Sequence, residues 1–308
     1  MIETTTTNNS TLVIPITTTT TIPSESNEIK HDNSLKTGFE ITKEVEQFRN
    51  YENSDDRVSR AYRNSHLFQT YEYALDKKRQ YSLLNSGIRM GIWQAAELLN
   101  TIIDESDPDS NIPQINHCLQ TAEAIRKVYP DPKYDWFHLT GFIHDLGKVL
   151  LSPKFKEQPQ WATVGDTFPL GCRFDESNIF YDYFKMNPDY NDSRYNSECG
   201  IYKENTGLEN VTMSWGHDEY FYLVCMGNKS LLPKESLYMI RFHSFYPWHR
   251  HNKYKNLTNE EDEKMLHWVK EFNKFDLYSK DSEPVDVESL KPYYESLILK
   301  YFPKELNW

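Results

Sequence analysis

Apolar residues recur every three to four positions along most of this 308-residue chain, the spacing that places them on one face of a helix. Strand-like alternation is confined to short aromatic stretches, and no internal repeat is visible. The pattern predicts helices near residues 39–48, 55–80, 91–99, 112–128, 134–151, 174–186, 214–226, 233–245, 258–274 and 286–301. The expected fold is therefore all-α, a single-domain helical bundle over residues 38–308.

Two segments interrupt the helical pattern. Residues 1–37 are rich in Thr, Asn and Ser, and they are expected to form a disordered tail. Residues 152–172 contain three prolines and two glycines and form the longest predicted loop, a length that often accompanies function. Farther along, Thr258 and Glu261 have the spacing of a capping box, which predicts a helix that begins at Thr258.

Composition narrows the classes of function. The net charge of −12 comes without any strongly basic block, which argues against binding to nucleic acid. No apolar run approaches the roughly 20 residues of a membrane span, and the N-terminus lacks the basic-then-apolar order of a secretory signal. Four widely spaced cysteines are typical of reduced thiols in the cytosol. We expect a cytoplasmic, monomeric protein that binds neither nucleic acid nor membrane.

His144 and Asp145 stand side by side in an otherwise apolar stretch that predicts a buried helix. Ionisable side chains are rarely buried unless they are paired or bound to a metal ion. The dipeptide alone is not specific, because His-Asp also occurs at positions 31–32 and 217–218. Comparable apolar contexts on or next to other predicted helices hold three more histidines and one more aspartate, namely His117, His217, His243 and Asp276.

Four imidazoles and two carboxylates on several helices suit a metal centre inside a helical bundle. This donor set fits iron, manganese or zinc, and the lack of thiolates argues against a structural zinc site. Six ligands exceed the needs of one open catalytic metal, so Asp145 could bridge two ions. Each histidine taken alone is more often a hydrogen-bonded core residue. The chain's other six histidines are left out of the site, and two of them, His249 and His251, are expected in an exposed turn.

Longer strings around these residues resemble the myo-inositol oxygenase family, a branch of the HD-domain superfamily of helical metalloenzymes. The similarity extends from about Phe48 to Trp308, and the chain is slightly longer than the family pattern near residues 129–134. The strings that carry the resemblance are DESDPD at 104–109, DWFHL at 135–139, HDLGKVL at 144–150, PQWA at 159–162, VGDTFP at 164–169, SWGHDEY at 214–220, RFHSFYPWH at 241–249 and FNKFDLY at 272–278.

The resemblance implies an oxidoreductase that uses O₂ to cleave the C1–C6 bond of myo-inositol, giving D-glucuronate and water, the first step of inositol catabolism. It implies a buried, non-haem centre of two iron ions, Fe(II) and Fe(III). No nicotinamide or flavin is expected, because all the electrons come from the substrate. By motif, one iron is bound by His117, His144 and Asp276, the other by His217 and His243, and Asp145 bridges them.

The family pattern also implies which side chains bind the polyol. Because a cyclohexane hexol carries no charge, its selection must come from many hydrogen bonds. Lys148 and Asp145 are the implied catalytic residues, with Lys148 positioning or protonating oxygen atoms. The implied substrate-binding residues are Arg49, Asp104, Glu105, Ser106, Lys148, Gly165, Asp166, His243, Ser244 and Lys280.

Two other functions fit part of this sequence. The order His…His-Asp…His…Asp is by itself typical of an HD-type metal-dependent phosphohydrolase. Such a site should add basic residues for phosphate, whereas Lys148 is accompanied by the acidic Asp104 and Asp166. A non-catalytic helical scaffold with a vestigial metal site is the third interpretation, and the intact set of ligands argues against it.

Overall fold

A computed structural model describes residue 51 and residues 56–107, 113–278 and 285–308, all within one compact unit, Gly38–Trp308. The predicted tail, the predicted helix near 39–48, Arg49 and Lys280 lie outside the described residues. The described part is mostly helical, which confirms the all-α prediction. Its α-helices are α1 (Asp56–Phe68), α2 (Tyr71–Ser82), α3 (Ile92–Leu99), α4 (Gln114–Val128), α5 (Asp135–Ile143), α6 (His217–Gly227), α7 (Lys234–Phe242), α8 (Tyr246–His249), α9 (Glu260–Tyr278) and α10 (Val287–Tyr301).

Short 3₁₀ turns and one small sheet complete the described fold. Two strands, β1 (Arg89–Met90) and β2 (Leu306–Asn307), pair antiparallel, with Arg89 opposite Asn307 and Met90 opposite Leu306. The 3₁₀ turns are Pro132–Tyr134, Leu146–Leu151, Pro153–Phe155, Gln160–Ala162, Tyr181–Met186, Leu208–Asn210 and Lys255–Leu257. Among the described helices, none combines the length and the apolar character needed to cross a bilayer.

The helices that carry the His and Asp residues of interest pack closely around an apolar core. α5 lies against α4, α7, α9 and α10, and α6 lies against α7. Phe142 and Ile143 on α5 and Leu119 and Ala122 on α4 are fully buried. Gly141 allows the close approach of α5 to α4, because a Cβ atom there would lie 2.8 Å from Ala122 Cα. Burial of these side chains stabilises the helix pair that carries His117 and ends at His144.

The predicted helix over 134–151 is wrong as one continuous element. α5 ends at Ile143, and a 3₁₀ turn, Leu146–Leu151, follows. Asp145 lies between them with φ −91° and ψ 0°, outside the helical region. The 3₁₀ turn lies directly against the start of α6, because a Cβ atom on Gly147 would lie 2.1 Å from the His217 carbonyl oxygen. A regular helix would continue along its axis, whereas this break accompanies the placement of Asp145 Oδ1 3.3 Å from His217 Nε2 at the start of α6.

Other predicted boundaries also change. The helix predicted over 55–80 is divided at Gln69 and Thr70, where Thr70 Oγ1 accepts a hydrogen bond from Tyr73 N–H and starts α2. The helix predicted over 174–186 is reduced to the 3₁₀ turn Tyr181–Met186, because Asp175 caps a local turn by accepting from Ser177 N–H.

The residue that caps the start of α9 is one position later than predicted. Asn259, rather than Thr258, caps the helix, since its Oδ1 accepts from Glu261 N–H and Asp262 N–H. Asp262 completes the capping box by accepting from Asn259 N–H.

Candidate metal centre and substrate pocket

The structure brings six buried side chains together from five segments. His117 lies on α4, His144 and Asp145 follow α5, and His217 is the first residue of α6. The other two are His243, which follows α7, and Asp276, which lies near the end of α9. We call these six residues the His/Asp cluster. Two of its triads, His117–His144–Asp145 and Asp145–His217–His243, have ligand atoms within 4.8 Å of one another.

Asp145 lies between two pairs of histidines. Its Oδ2 is 3.8 Å from His117 Nε2 and 3.5 Å from His144 Nε2. Its Oδ1 is 3.3 Å from His217 Nε2 and 3.7 Å from His243 Nε2. Each carboxylate oxygen therefore faces a different pair, which is the arrangement that a carboxylate needs to bridge two cations.

Asp276 serves only one side of the cluster. Its Oδ1 lies 3.0 Å from His117 Nε2 and 3.2 Å from His144 Nε2. Donor atoms in adjacent positions around an ion bound at about 2.1 Å are about 3 Å apart, so these separations suit a shared ion. The cluster thus has two halves, with Asp276 in the first and Asp145 common to both.

Hydrogen bonds to the backbone orient three of the four imidazoles. The Nδ1 atoms of His144, His217 and His243 donate to the carbonyl oxygens of Gly141, Thr163 and Ile240 at 2.9, 2.8 and 3.1 Å. Because a carbonyl only accepts, Nδ1 carries the proton and Nε2 is the atom that can bind a metal. A hydrogen bond from the other ring nitrogen to a backbone carbonyl is common for histidines that ligate metals.

The electrostatics of the cluster favour a cation between its members. His217 Nε2 and His243 Nε2 are 3.2 Å apart, and two lone pairs at that distance repel unless a proton or a metal ion lies between them. Burial lowers the pKa of His217, but Asp218 and Asp145 outweigh it and raise the pKa to about 10. Imidazole and carboxylate donors in this arrangement fit a pair of metal ions such as iron.

A pocket opens onto this cluster, and most of the predicted substrate-binding residues line it. Among the predicted substrate-binding residues that the structure describes, Glu105 is the exception, because it does not line the pocket. It is half buried, and its N–H donates to Gln160 Oε1. The pocket also contains Tyr51, Tyr62 and Tyr246, which the sequence did not single out. The predicted residues on its wall are Asp104, Ser106, Lys148, Gly165, Asp166, His243 and Ser244.

Lys148 is held as a cation at the edge of the cluster. Its Nζ donates to Asp145 Oδ2 at 2.8 Å and lies 2.9 Å from Asp104 Oδ2. Burial lowers the pKa of Lys148, but the two carboxylates outweigh it and hold the pKa well above its usual range. Asp104 is itself fixed, because its Oδ1 accepts from Ser106 N–H and Ser106 Oγ–H at 2.9 and 2.6 Å.

Two buried residues near the cluster were missed from the sequence. Asp218 is 1 % exposed, and its Oδ1 lies 2.8 Å from His217 Nε2; the only sequence signal was its repeat of the His-Asp dipeptide. His249 was predicted in an exposed turn, and that prediction is wrong. It is buried, and its Nε2 donates to the His243 carbonyl oxygen at 2.8 Å. Its aromatic and basic neighbours suggested a surface, whereas His249 ends α8 with its side chain directed back to the backbone of His243.

Comparison with known proteins gives consistent matches over most of the chain. The family model described as Myo-inositol oxygenase matches residues 55–308. Inositol oxygenase from Dictyostelium discoideum is 87% identical over 285 residues, which cover 92% of this chain and 98% of that protein. Probable inositol oxygenase from Oryza sativa subsp. japonica is 56% identical over 264 residues, 85% of each chain. Inositol oxygenase from Mus musculus is 50% identical over 272 residues, 87% of this chain and 93% of that protein.

Proposed function

The chain belongs to the myo-inositol oxygenase family, and on this premise we propose that it uses O₂ to cleave the C1–C6 bond of myo-inositol, giving D-glucuronate and water. The chain is thus an oxygenase, a class of oxidoreductase. One observation carries the proposal at atomic level: the two oxygens of Asp145 face two separate histidine pairs at the base of a polar pocket.

We propose that the metal is iron and that all six members of the His/Asp cluster are its ligands. His117, His144 and Asp276 would hold one ion, His217 and His243 would hold the other, and Asp145 would serve both. When bound, the iron pair supplies Lewis acidity toward a substrate hydroxyl and the capacity to activate O₂. Iron per chain and an EPR signal of a coupled Fe(II)/Fe(III) pair test this assignment. Two zinc ions in active protein as isolated would contradict it.

Lys148 acts on oxygen atoms of the substrate in this proposal. Its ammonium group is fixed by Asp104 and Asp145, and it lines the pocket 2.8 Å from Asp145 Oδ2. From that position Nζ can donate a hydrogen bond to a substrate oxygen and hold or deliver a proton there. The two carboxylates keep the amine protonated, so the group serves as a donor throughout the neutral pH range.

The rest of the pocket suits a neutral polyol. Asp166 lies on the wall, where its Oδ1 accepts from Tyr62 O–H at 3.0 Å. Gly165 has φ +94°, a conformation that a side chain would strain, so glycine suits this turn, and the hydrogen bond from Tyr62 holds Asp166 in place. Many fixed polar atoms discriminate between stereoisomers, since a wrong hydroxyl leaves a buried group unpaired. We propose that Arg49 and Lys280 also contact the polyol.

A phosphomonoester is a poorer substrate for this pocket. Within the described lining, Lys148 is the one Lys or Arg side chain, and two carboxylates already neutralise it. Asp107 and Asp166 add further negative charge to the wall. Apart from the proposed metal ions, the described lining therefore offers a phosphate dianion only one cation, whose charge two carboxylates already offset.

The decisive experiment supplies iron-loaded protein with myo-inositol anaerobically and then admits O₂. We expect D-glucuronate to form in proportion to the O₂ consumed, and no release of phosphate from p-nitrophenyl phosphate. Protein with the Asp145→Ala substitution is the control for metal-dependent turnover. Cleavage of the phosphomonoester without glucuronate would reverse the assignment in favour of the phosphohydrolase.

We also propose that the enzyme is a cytoplasmic monomer that binds neither nucleic acid nor membrane. Its four cysteines are free thiols, three of them buried, which suits a reducing compartment. Its net charge of −12 disfavours contact with a phosphate backbone. Cell fractionation and light scattering of the purified protein test the location and the oligomeric state.

A further inference from the structure

Ser244 is held from two sides in the turn between α7 and α8, where it lines the pocket. Its N–H donates to Asp218 Oδ2 at 3.2 Å, and its hydroxyl donates to Asp218 Oδ1 at 3.1 Å. Its carbonyl oxygen accepts from Thr167 N–H at 3.0 Å. Ser244 therefore joins the start of α6 to the loop that carries Gly165 and Asp166.

These contacts decide which hydrogen-bonding role Ser244 has toward the pocket. Both of its donors, the amide and the hydroxyl, are directed to the carboxylate of Asp218. Its Oγ then presents only lone pairs to a ligand, so it accepts from an O–H group and does not donate. Asp218 is 1 % exposed and does not line the pocket, so it acts on a ligand through neighbours that do, and Ser244 is the neighbour that donates two hydrogen bonds to it.

We propose that Asp218 is a positioning residue that fixes Ser244 as a hydrogen-bond acceptor for one hydroxyl of the polyol substrate. The identity of that substrate rests on the function proposed above. A carboxylate is required at position 218, because two donors of Ser244 need two acceptor atoms. An asparagine that accepts from the Ser244 N–H with its one acceptor atom would place its N–H₂ group against Oγ, so the hydroxyl would have to accept there and turn its own proton toward the ligand, which reverses the role of Ser244.

Direct ligation of a metal ion is the competing role for Asp218. Its Oδ1 lies 2.8 Å from His217 Nε2 and 3.5 Å from His243 Nε2, distances that neighbouring ligands of one ion also have. The two roles differ in what they predict for metal content. A ligand contributes to iron binding, whereas a residue that acts through Ser244 changes substrate binding and leaves the iron in place.

The experiment compares iron-loaded wild-type protein with Asp218→Asn, Ser244→Ala and the double variant. Asp218→Asn should raise KM for myo-inositol at least about 10-fold, the loss of one buried hydrogen bond, with a much smaller change in kcat. It should retain two irons per chain. Ser244→Ala should raise KM similarly, and the double variant should be no worse than the weaker-binding single variant, because both remove the same interaction. Asp182→Asn, at an 82 % exposed side chain, is the matched control and should behave as wild type.

Three results would overturn the proposal: loss of iron from Asp218→Asn, an unchanged KM, or multiplicative effects in the double variant. If Asp218→Asn does not fold, Ser244→Ala decides the matter, since an unchanged KM in that variant contradicts the acceptor role by itself. Failure of the proposed function is recognised separately, because wild-type protein would then form no glucuronate at all.

Discussion

Lys148 Nζ donates to Asp145 Oδ2 at 2.8 Å, which links the cationic residue of the pocket to the carboxylate between the two histidine pairs. The two residues are three positions apart on either side of the break after α5, and the Lys148 N–H also donates to the Asp145 carbonyl oxygen at 2.9 Å. The proposed bridging ligand and the proposed proton donor are therefore one structural unit. Substituting Asp145 and Lys148 one at a time distinguishes their contributions to metal binding and to turnover.

Lys148→Met should lower kcat by roughly 10²–10³-fold, because it removes a positioned donor while keeping a side chain of similar length. Iron content should be unchanged or higher, since a buried cation next to a metal site opposes metal binding. Steady-state kinetics and iron analysis of the same preparation test both parts. A variant that turns over at nearly the wild-type rate would contradict the assigned role.

Asp145→Ala and Asp276→Ala should differ in how many iron ions they lose. Asp145 faces both histidine pairs, so its removal should abolish binding of both ions. Asp276 faces only His117 and His144, so its removal should affect one ion and leave the other half of the cluster intact. Iron per chain, measured after identical loading, distinguishes the two. Two irons retained in Asp145→Ala would refute the bridging role.

The sequence predicted the members of the cluster better than it predicted the path of the backbone. His117, His217 and Asp276 could be selected because ionisable residues in apolar helical contexts are unusual. The break at Asp145 could not be predicted, because apolar residues continue at helical spacing from Phe142 to Leu151. A 3₁₀ turn and an α-helix bury nearly the same positions in this stretch. Asp218 was missed for a similar reason, because the spacing of residues along the sequence does not show that the turn at Ser244 lies against the start of α6.

Gly147→Ala should disrupt the site without altering any polar side chain. A Cβ atom at that position would lie 2.1 Å from the His217 carbonyl oxygen, so the start of α6 must move. We expect a loss of at least about 2 kcal/mol in the free energy of unfolding, together with reduced iron binding. Gly216→Ala is the matched control, because its Cβ atom would be 3.5 Å from Thr163 O, an ordinary contact. Equal stability of the two variants would show that the contact is not restrictive.

Glu219 should make stability depend on pH in the acid range. It is buried next to His217, where its carboxylate accepts from Arg241 Nε at 2.6 Å and pairs with Lys78 Nζ at 2.7 Å. Burial raises the pKa of Glu219, but Arg241 and Lys78 outweigh it and lower the pKa from 4.5 to about 2. A pKa lowered by folding stabilises the folded state fully above pH 4.5, and this contribution is lost as the pH falls from 4.5 to about 2.

The contribution of Glu219 can be measured with one substitution and one control. The difference between a pKa of 4.5 and one of about 2 corresponds to on the order of 3 kcal/mol. Glu219→Gln should therefore be less stable than wild type at pH 7, and the gap in the free energy of unfolding should narrow between pH 4.5 and 2. Glu305→Gln removes a half-exposed pair with Arg89 and should follow wild type at every pH. A gap that stays constant across this range would mean that Glu219 contributes packing and hydrogen bonds rather than charge.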